Sequence, residues 1–191
     1  MKIRDLRLAL SATPKKPDDR YSLNGLNITK THVTGSNGHV LCHINTYAND
    51  IPDQLDNNGI QITDSYLIVP VETIKALLKK MGSKHDNFEA GIFLNNGRYE
   101  LSCMNQVEVF EPIGHKYPGF QKIIEPIKLN DHDKNLNAIR HQFDWSYVAL
   151  ANDALGIYFG NKVPKRLYSC NECGYMMPCD AVIYVIMPCR N

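Results

Sequence analysis

Three stretches of this 191-residue chain carry apolar residues at helical spacing, and they recur at a nearly constant interval. Ile3, Leu6, Leu8 and Leu10 lie on or beside one stripe of a helix predicted over residues 3–12, which Pro14 closes. Val71, Ile74, Leu77, Leu78 and Met81 repeat that pattern up to Gly82, and residues 143–155 carry a third apolar-rich helix ended by Gly156. Val71 lies 68 positions after Ile3, and Phe143 lies 72 after Val71. Strand-like runs follow each helix. A fixed interval points to repetition of one supersecondary unit, here one and a half pairs of a helix with antiparallel strands behind it. The other reading is coincidence of spacing within an ordinary α+β domain.

The strand signals fill the intervals. Arg20 to Ile28 alternates around an Asn24-Gly25 step, and His32 to Ile44 reads as a hairpin turning through Gly35-Ser36-Asn37-Gly38. An Asn-Gly step accepts positive φ at low cost and so marks a tight turn. Leaving that turn in extended geometry, His39 and Leu41 share one face and make a rim with one polar and one apolar contact. A plain surface hairpin with a solvated histidine is the alternative. Residues 45–60, dense in Asn, Asp, Pro and Gly, read as a solvated excursion. Leu67 to Val69 is a strand stopped by Pro70, and strands are predicted over 88–95, 98–104 and 107–112. Residues 112–126 read as irregular, with Tyr117-Pro118-Gly119-Phe120 as a turn before Ile123-Ile124. The polar run 127–139 is the candidate boundary, and strands are predicted at 157–160, 166–169 and 181–187.

Composition narrows the function. With 21 basic and 20 acidic side chains the formal net charge is +1, so no global basic field argues for nucleic acid and any such role rests on local arrangement. No apolar run approaches the ~20 residues of a membrane span, and Met-Lys-Ile-Arg-Asp lacks a signal-peptide core, so the expected location is the cytoplasm, away from membranes. Six cysteines in that setting read as reduced thiols or a metal site. Cys170, Cys173 and Cys179 form Cys-x2-Cys-x5-Cys between two strands, which could offer thiolates to Zn²⁺ with Cys189 or a histidine as fourth ligand. No second Cys-x2-Cys accompanies it, so free thiols are the favoured reading and no metal is assigned. No Gly-x-Ser-x-Gly, P-loop or His-Glu-x-x-His occurs, no catalytic residue is assigned and no cofactor is implied, which argues against an enzyme.

Five segments in order resemble one family. Arg20-Tyr-Ser-Leu-Asn-Gly, Ser36-Asn-Gly-His-Val-Leu, Ile68-Val-Pro before a helix, Lys116-Tyr-Pro-Gly-Phe-Gln-Lys-Ile-Ile-Glu-Pro and Tyr184-Val-Ile-Met-Pro-Cys-Arg resemble motifs of the bacterial DNA polymerase III β subunit, the β sliding clamp. The resemblance implies an α+β fold of DNA-clamp-like repeats, helix plus antiparallel sheet, with three half-domain units per chain. Residues 1–126 resemble one complete clamp domain, and 127–191 resemble the second half of the last domain. An unpaired half leaves an open sheet edge and an uncovered helix face, so another chain is expected to complete it through an isologous contact. The family ring has twelve halves, which favours a homo-oligomer of four chains.

In the family, inner helices meet DNA phosphates without reading sequence, a task for Lys and Arg. Arg4 with Arg7 and Lys75 with Lys79 place two charges on one face of helices one and two, while Asp144, Asn152 and Asp153 give helix three no cation. Arg20 and Tyr21 match positions near the family's DNA path. Ordinary solvated helix faces are the alternative. The family also has an apolar peptide pocket, whose walls map onto Leu23, Gly38, His39, Leu41, Pro118 and Ile123 on one side. Val185, Met187, Pro188, Cys189 and Arg190 form the other. Val40 stands where the family has arginine and Cys189 where it has methionine. Packing of the junction between halves is the alternative for these residues. The implied function is a sliding-clamp-like processivity or tethering factor that encircles duplex DNA. Its implied partners are double-stranded DNA and DNA polymerase or other replication proteins bearing short peptide motifs. The resemblance also admits a clamp loader and, given the shortening, a phage or mobile-element origin. The alternative is a clamp mimic, decoy or adaptor that binds replication proteins without encircling DNA.

Overall fold

The first helix, α1 (Ile3–Ser11), forms where its apolar stripe predicts: Ile3, Leu6 and Ala9 are fully buried. The Asp5 carboxylate accepts from the Lys2 N–H at 2.8 Å and closes the helix start. The computed structural model describes residues 1–46, 66–128, 142–160, 167–170 and 173–189, and of Tyr21, Lys128, Ser169 and Cys170 the backbone alone. Most of the predicted excursion at 45–60 and of the boundary at 127–139 lies outside these residues.

After α1 come β1 (Gly25–Thr29), β2 (His32–Ser36) and β3 (Val40–Asn45), then β4 (Tyr66–Pro70) running into α2 (Val71–Met81). Pro70 tolerates this junction because the first helical turn needs no N–H from it. Next are β5 (Gly91–Asn95), β6 (Arg98–Cys103) and β7 (Gln106–Phe110), a short helix α3 (Gln121–Lys128), the long α4 (Trp145–Phe159), and β8 (Tyr168–Cys170), β9 (Cys173–Cys179) and β10 (Val182–Ile186). A helix followed by three strands thus occurs three times: α1 with β1–β3, α2 with β5–β7, α4 with β8–β10.

One antiparallel sheet runs in the order β4-β1-β2-β3-β10-β9-β8, and β5-β6-β7 form a second. The large sheet joins the first and third units at β3 and β10, with Leu41 opposite Val185 and Cys42 opposite Tyr184. Successive residues of these two strands face opposite sides, and both sides are buried. Val40, Cys42, Val182 and Tyr184 face the core beneath α1, α2 and α4. Leu41, Ile183 and Val185 face a second core closed by Tyr117, Phe120, Ile124 and Ile127. Among the described residues, no helix is long and apolar enough to cross a membrane.

Several predicted boundaries move, each for a local reason. The run Arg20–Asn24 is not strand: Tyr21–Asn24 is a 3-10 turn, curled because the Asn24 side chain bonds the Asp18 backbone twice, at 2.8 Å each. The hairpin turn is Asn37-Gly38-His39, later than predicted, with the Asn37 side chain accepting from the N–H groups of His39 and Val40, both at 2.9 Å. Gly38 takes φ +86°, whereas Gly35 is a strand residue whose Cβ would stand 2.1 Å from the Ala9 carbonyl. The segment read as irregular contains α3, which holds Pro126 and is kept by burial of Ile124 and Ile127. Gly156 does not end α4; the helix continues to Phe159 and stops at Gly160, φ +76°, so Ile157 to Gly160 is not a strand. Fully buried Leu155 and a Tyr158 anchor on α1 outweigh the ~1 kcal/mol that an interior glycine costs. The strand β9, unrecognised in sequence because Gly174 and Pro178 interrupt its pattern, occupies the Cys-x2-Cys-x5-Cys interval.

Candidate functional site

The seam between β3 and β10 is where the two predicted pocket walls meet. The Met187 N–H donates to the His39 carbonyl at 2.8 Å, extending the ladder past the end of β10, and the Cys189 N–H donates to the Gln142 carbonyl at 2.9 Å. Leu23, Leu41 and Val185 are buried within one apolar cluster, and Ile123 and Met187 pack half-exposed against it. The first three are therefore core residues rather than an open wall. Gly38, His39 and Cys189 are exposed around it and Pro188 is half-buried. Arg190 lies outside the described residues. Pro118 is set apart, lining a cleft of about 600 Å³ with Lys30, His32, Tyr66 and Phe120.

The predicted shared face of His39 and Leu41 is not formed. Leu41 enters the core beneath α3, whereas the His39 imidazole stacks on Tyr147 of α4, centroids 5.5 Å apart and planes at 11°. His39 belongs to the turn itself, so strand alternation does not govern it. Tyr147 is a rim residue that sequence reasoning missed. Its one signal is an aromatic side chain one turn into the third helix.

The cationic residues lie on and around the helix layer, and most are engaged. The Arg4 guanidinium sits 4.9 Å from the centre of the Tyr158 ring, a cation–π contact. Tyr158 donates its hydroxyl to Asp5 at 2.7 Å; burial and this carboxylate hold its pKa well above the ordinary tyrosine range. The Arg7 Nε donates to Asp86 at 3.1 Å and its Nη2 to the Gly82 carbonyl at 3.1 Å, tying α1 to the end of α2. Arg4 and Arg7 line a cleft of about 230 Å³ against Ala154, Ile157 and Tyr158 of α4. On α2, Lys75 pairs with Glu72 at 2.8 Å and Lys80 with Glu108 at 2.7 Å, while Lys79 is exposed. Asp144 caps α4, accepting from the Ser146 N–H at 2.8 Å, and α4 carries no Lys or Arg.

Arg20 acts on the hairpin turn. It grips Asp18 through Nε at 2.8 Å and Nη2 at 2.7 Å and donates to the Asn37 carbonyl at 3.1 Å. The guanidinium holds the Asp18 carboxyl down to about 2. A Cβ on Gly38 would come within 2.4 Å of this guanidinium, the movable end of an exposed side chain, so it is the φ of +86° that calls for glycine here. The Tyr21 backbone lies in the adjacent 3-10 turn.

Cys170 and Cys173 are cross-strand partners of β8 and β9, but Cys179 is remote from them. Cys173 is buried at the start of β9 and Cys179 exposed at its end, and six residues of extended chain separate them by ~20 Å, too far to share one Zn²⁺. Among the described residues no group of three His, Cys, Asp or Glu could hold a metal ion.

No family model matches the sequence, and no curated protein matches it. Solved structures do. A DNA polymerase sliding clamp from Pseudomonas aeruginosa matches with TM-score 0.63 and 16% identity over 100% of this chain and 66% of its own. A DNA polymerase sliding clamp from Bacillus subtilis matches with TM-score 0.64 and 13% identity, covering 99% of this chain and 62% of that one. The DNA polymerase III β subunit from Thermotoga maritima gives TM-score 0.57 and 9% identity over 97% and 61%. The chain, spanning just under two-thirds of the length of these proteins, has the mixed helix and antiparallel-sheet fold of the DNA polymerase III β-subunit sliding clamps.

Proposed function

We propose that the chain is a shortened, non-enzymatic clamp that tethers DNA enzymes to duplex DNA as a closed homo-oligomeric ring in the cytoplasm. The observation that carries this reading is the β3–β10 seam. One sheet runs unbroken from the first unit into the third, and α1, α2 and α4 bury their apolar residues in one core with it, which supports reading the units as an arc lined by helices. Residues 1–126 are then a complete clamp-like domain and 127–191 a half completed by the same half of a second chain. Four such chains supply twelve units. Exposed Lys79, with Arg4, Arg7 and Lys75 of the helix layer and Arg20 at the hairpin turn, supplies the DNA-facing charge, which needs no base contacts, and Tyr21 stands next to Arg20 in the chain. The seam receives the partner's peptide. Exposed Gly38, His39 and Cys189 and half-exposed Ile123, Met187 and Pro188 offer the contacts around the buried Leu23, Leu41 and Val185, and Pro118 and Arg190 are assigned to it by the resemblance alone. Few polar anchors over an apolar base suit an extended apolar segment.

Topological linkage distinguishes this function from simple affinity. Protein assembled on nicked circular DNA, with a loader supplied if one is required, is expected to stay bound through a salt wash and to leave when the circle is cut. Equal loss from circle and linear DNA overturns the ring. A second reading, an adaptor that binds replication proteins without encircling DNA, is favoured by the internal engagement of Arg4, Arg7, Arg20 and Lys75 and by the cation-free α4. Peptide binding without retention on circles selects it.

A further inference from the structure

Along β1, Leu26 and Ile28 face the core beneath the helices, so Asn27 between them faces the other side of the large sheet. There it stands opposite Thr34 of β2 and Ile68 of β4. Asn27 is 4% exposed, and its Oδ1 is closed off from solvent with no hydrogen-bond partner among the described residues. The polar row beside it is paired: Thr34 Oγ1 lies 2.9 Å from His43 Nδ1, and His43 Nε2 lies 3.0 Å from Asn45 Oδ1. A buried acceptor without a donor destabilises the fold, whereas a leucine here would extend the cluster of Leu23, Leu41 and Ile68. A local choice that works against packing is the mark of a group held for something outside the chain.

Asn27 also lines the cleft of about 600 Å³ that holds Pro118, a volume suited to a small organic ligand. The rings of His32, Tyr66 and Phe120 line the same cleft. His32 and Phe120 brace each other edge to face, centroids 5.6 Å apart and planes at 82°, so these walls are set before any ligand arrives. Tyr117 is fixed beside them, donating its hydroxyl to the Thr34 carbonyl at 3.5 Å. Exposed Lys116 stands at the rim, and among the described residues no carboxylate lines the cleft.

We propose that this cleft binds a nucleoside monophosphate. The unsatisfied amide oxygen calls for an N–H donor, which every nucleobase carries on its pairing edge. The ring-lined walls favour a flat group, because base and aromatic side chain stack. The Lys116 ammonium at the rim favours an anion, which the phosphate supplies. A nucleotide meets all three demands in one molecule. The cleft draws its residues from β1, β2, β4 and the segment 116–121 rather than from the β3–β10 seam, and its occupancy needs neither a ring nor duplex DNA.

The test is calorimetric titration of the DNA-free chain with AMP, GMP, CMP and UMP, and with inorganic phosphate alone. Saturable binding of at least one nucleotide is expected, with phosphate alone much weaker. Asn27→Leu is expected to weaken that binding about tenfold with its circular dichroism unchanged. Lys116→Ala is expected to weaken it and to reduce its dependence on salt. Three results overturn the proposal: no saturable binding of any of these nucleotides, phosphate alone binding as tightly as the best of them, or Asn27→Leu binding as tightly as wild type. Should Asn27→Leu misfold, the nuclear magnetic resonance signal of the wild-type Asn27 side-chain amide decides. A shift that saturates with nucleotide upholds the site, and an unmoved signal sinks it. Failure to remain on circular DNA removes the ring and leaves this site standing.

Discussion

Helices α2 and α4 occupy equivalent places in two units yet are finished to different degrees. α2 buries Val71, Ile74, Leu77, Leu78 and Met81 on one stripe and turns Lys75, Lys79 and Lys80 to solvent. Its apolar surface matches the core it covers. α4 is longer, fifteen residues, but buries only Ala151 and Leu155 and leaves Trp145 73% and Ile157 75% exposed. Apolar residues surround α4 on more sides than the described residues cover. The same contrast divides the sheets: β3 pairs with β2 and β10, whereas β7 pairs, among the described residues, with β6 alone.

The contrast breaks most readily on core truncation. Leu77→Ala in α2 is expected to cost about 2–5 kcal/mol by urea denaturation, because a buried leucine leaves a cavity. Ile157→Ala in α4 is expected to change the isolated subunit by less than ~0.5 kcal/mol while weakening the assembly on dilution. A large loss in the isolated subunit from Ile157→Ala would mean that α4 is finished as well.

Tyr158→Phe tests what holds α4 to α1. Loss of the hydroxyl bond to buried Asp5 is expected to destabilise by about 1–2 kcal/mol in the same assay. No loss would place the hold of α4 in Leu155 and Ala151 alone. On the cationic side, Lys79→Ala is expected to reduce the salt slope of duplex binding by about 0.9, one phosphate contact, in fluorescence anisotropy. Asp153→Ala on α4 is expected to leave that slope unchanged. Equal effects would remove the electrostatic difference between the helices.

The smallest effect lies away from both, at the Asp18–Arg20 pair. The Arg20 guanidinium holds the folded Asp18 carboxyl down to about 2, below the ordinary aspartate value of 3.8. Its contribution is therefore full above about pH 4 and is lost as the pH falls toward 2. Both groups reach solvent, so the contribution is ~0.5 kcal/mol, seen as the difference between wild type and Asp18→Asn in melting between pH 5 and pH 2.5.

Much of this was legible in the residues. The starts of α1 and α2, the Asn37-Gly38 turn, the strands β5–β7 and the resemblance to sliding clamps all follow from local pattern. The misreadings share a cause. Gly156, Pro126, Gly174 and Pro178 are breakers by local rule, and each is overridden by burial of neighbours that are remote in sequence: Leu155 under α1, Ile124 and Ile127 over β3 and β10, Tyr175 within the sheet. Of the pocket residues, the sequence brings both walls into view but not their depth. Leu23, Leu41 and Val185 look like contact residues in a motif and become core residues once α3 covers them.

Periodicity and turn chemistry in the chain itself determined that a helix followed by strands should appear three times, because both depend on residues within one turn or one hairpin of each other. Which strands mate, which helix is left with surplus apolar surface and which arginines are tied down were decided only in three dimensions. Edge pairing and ion pairing join residues up to 146 positions apart, as Val40 and Ile186 are, and no local rule counts how many edges a fold leaves over.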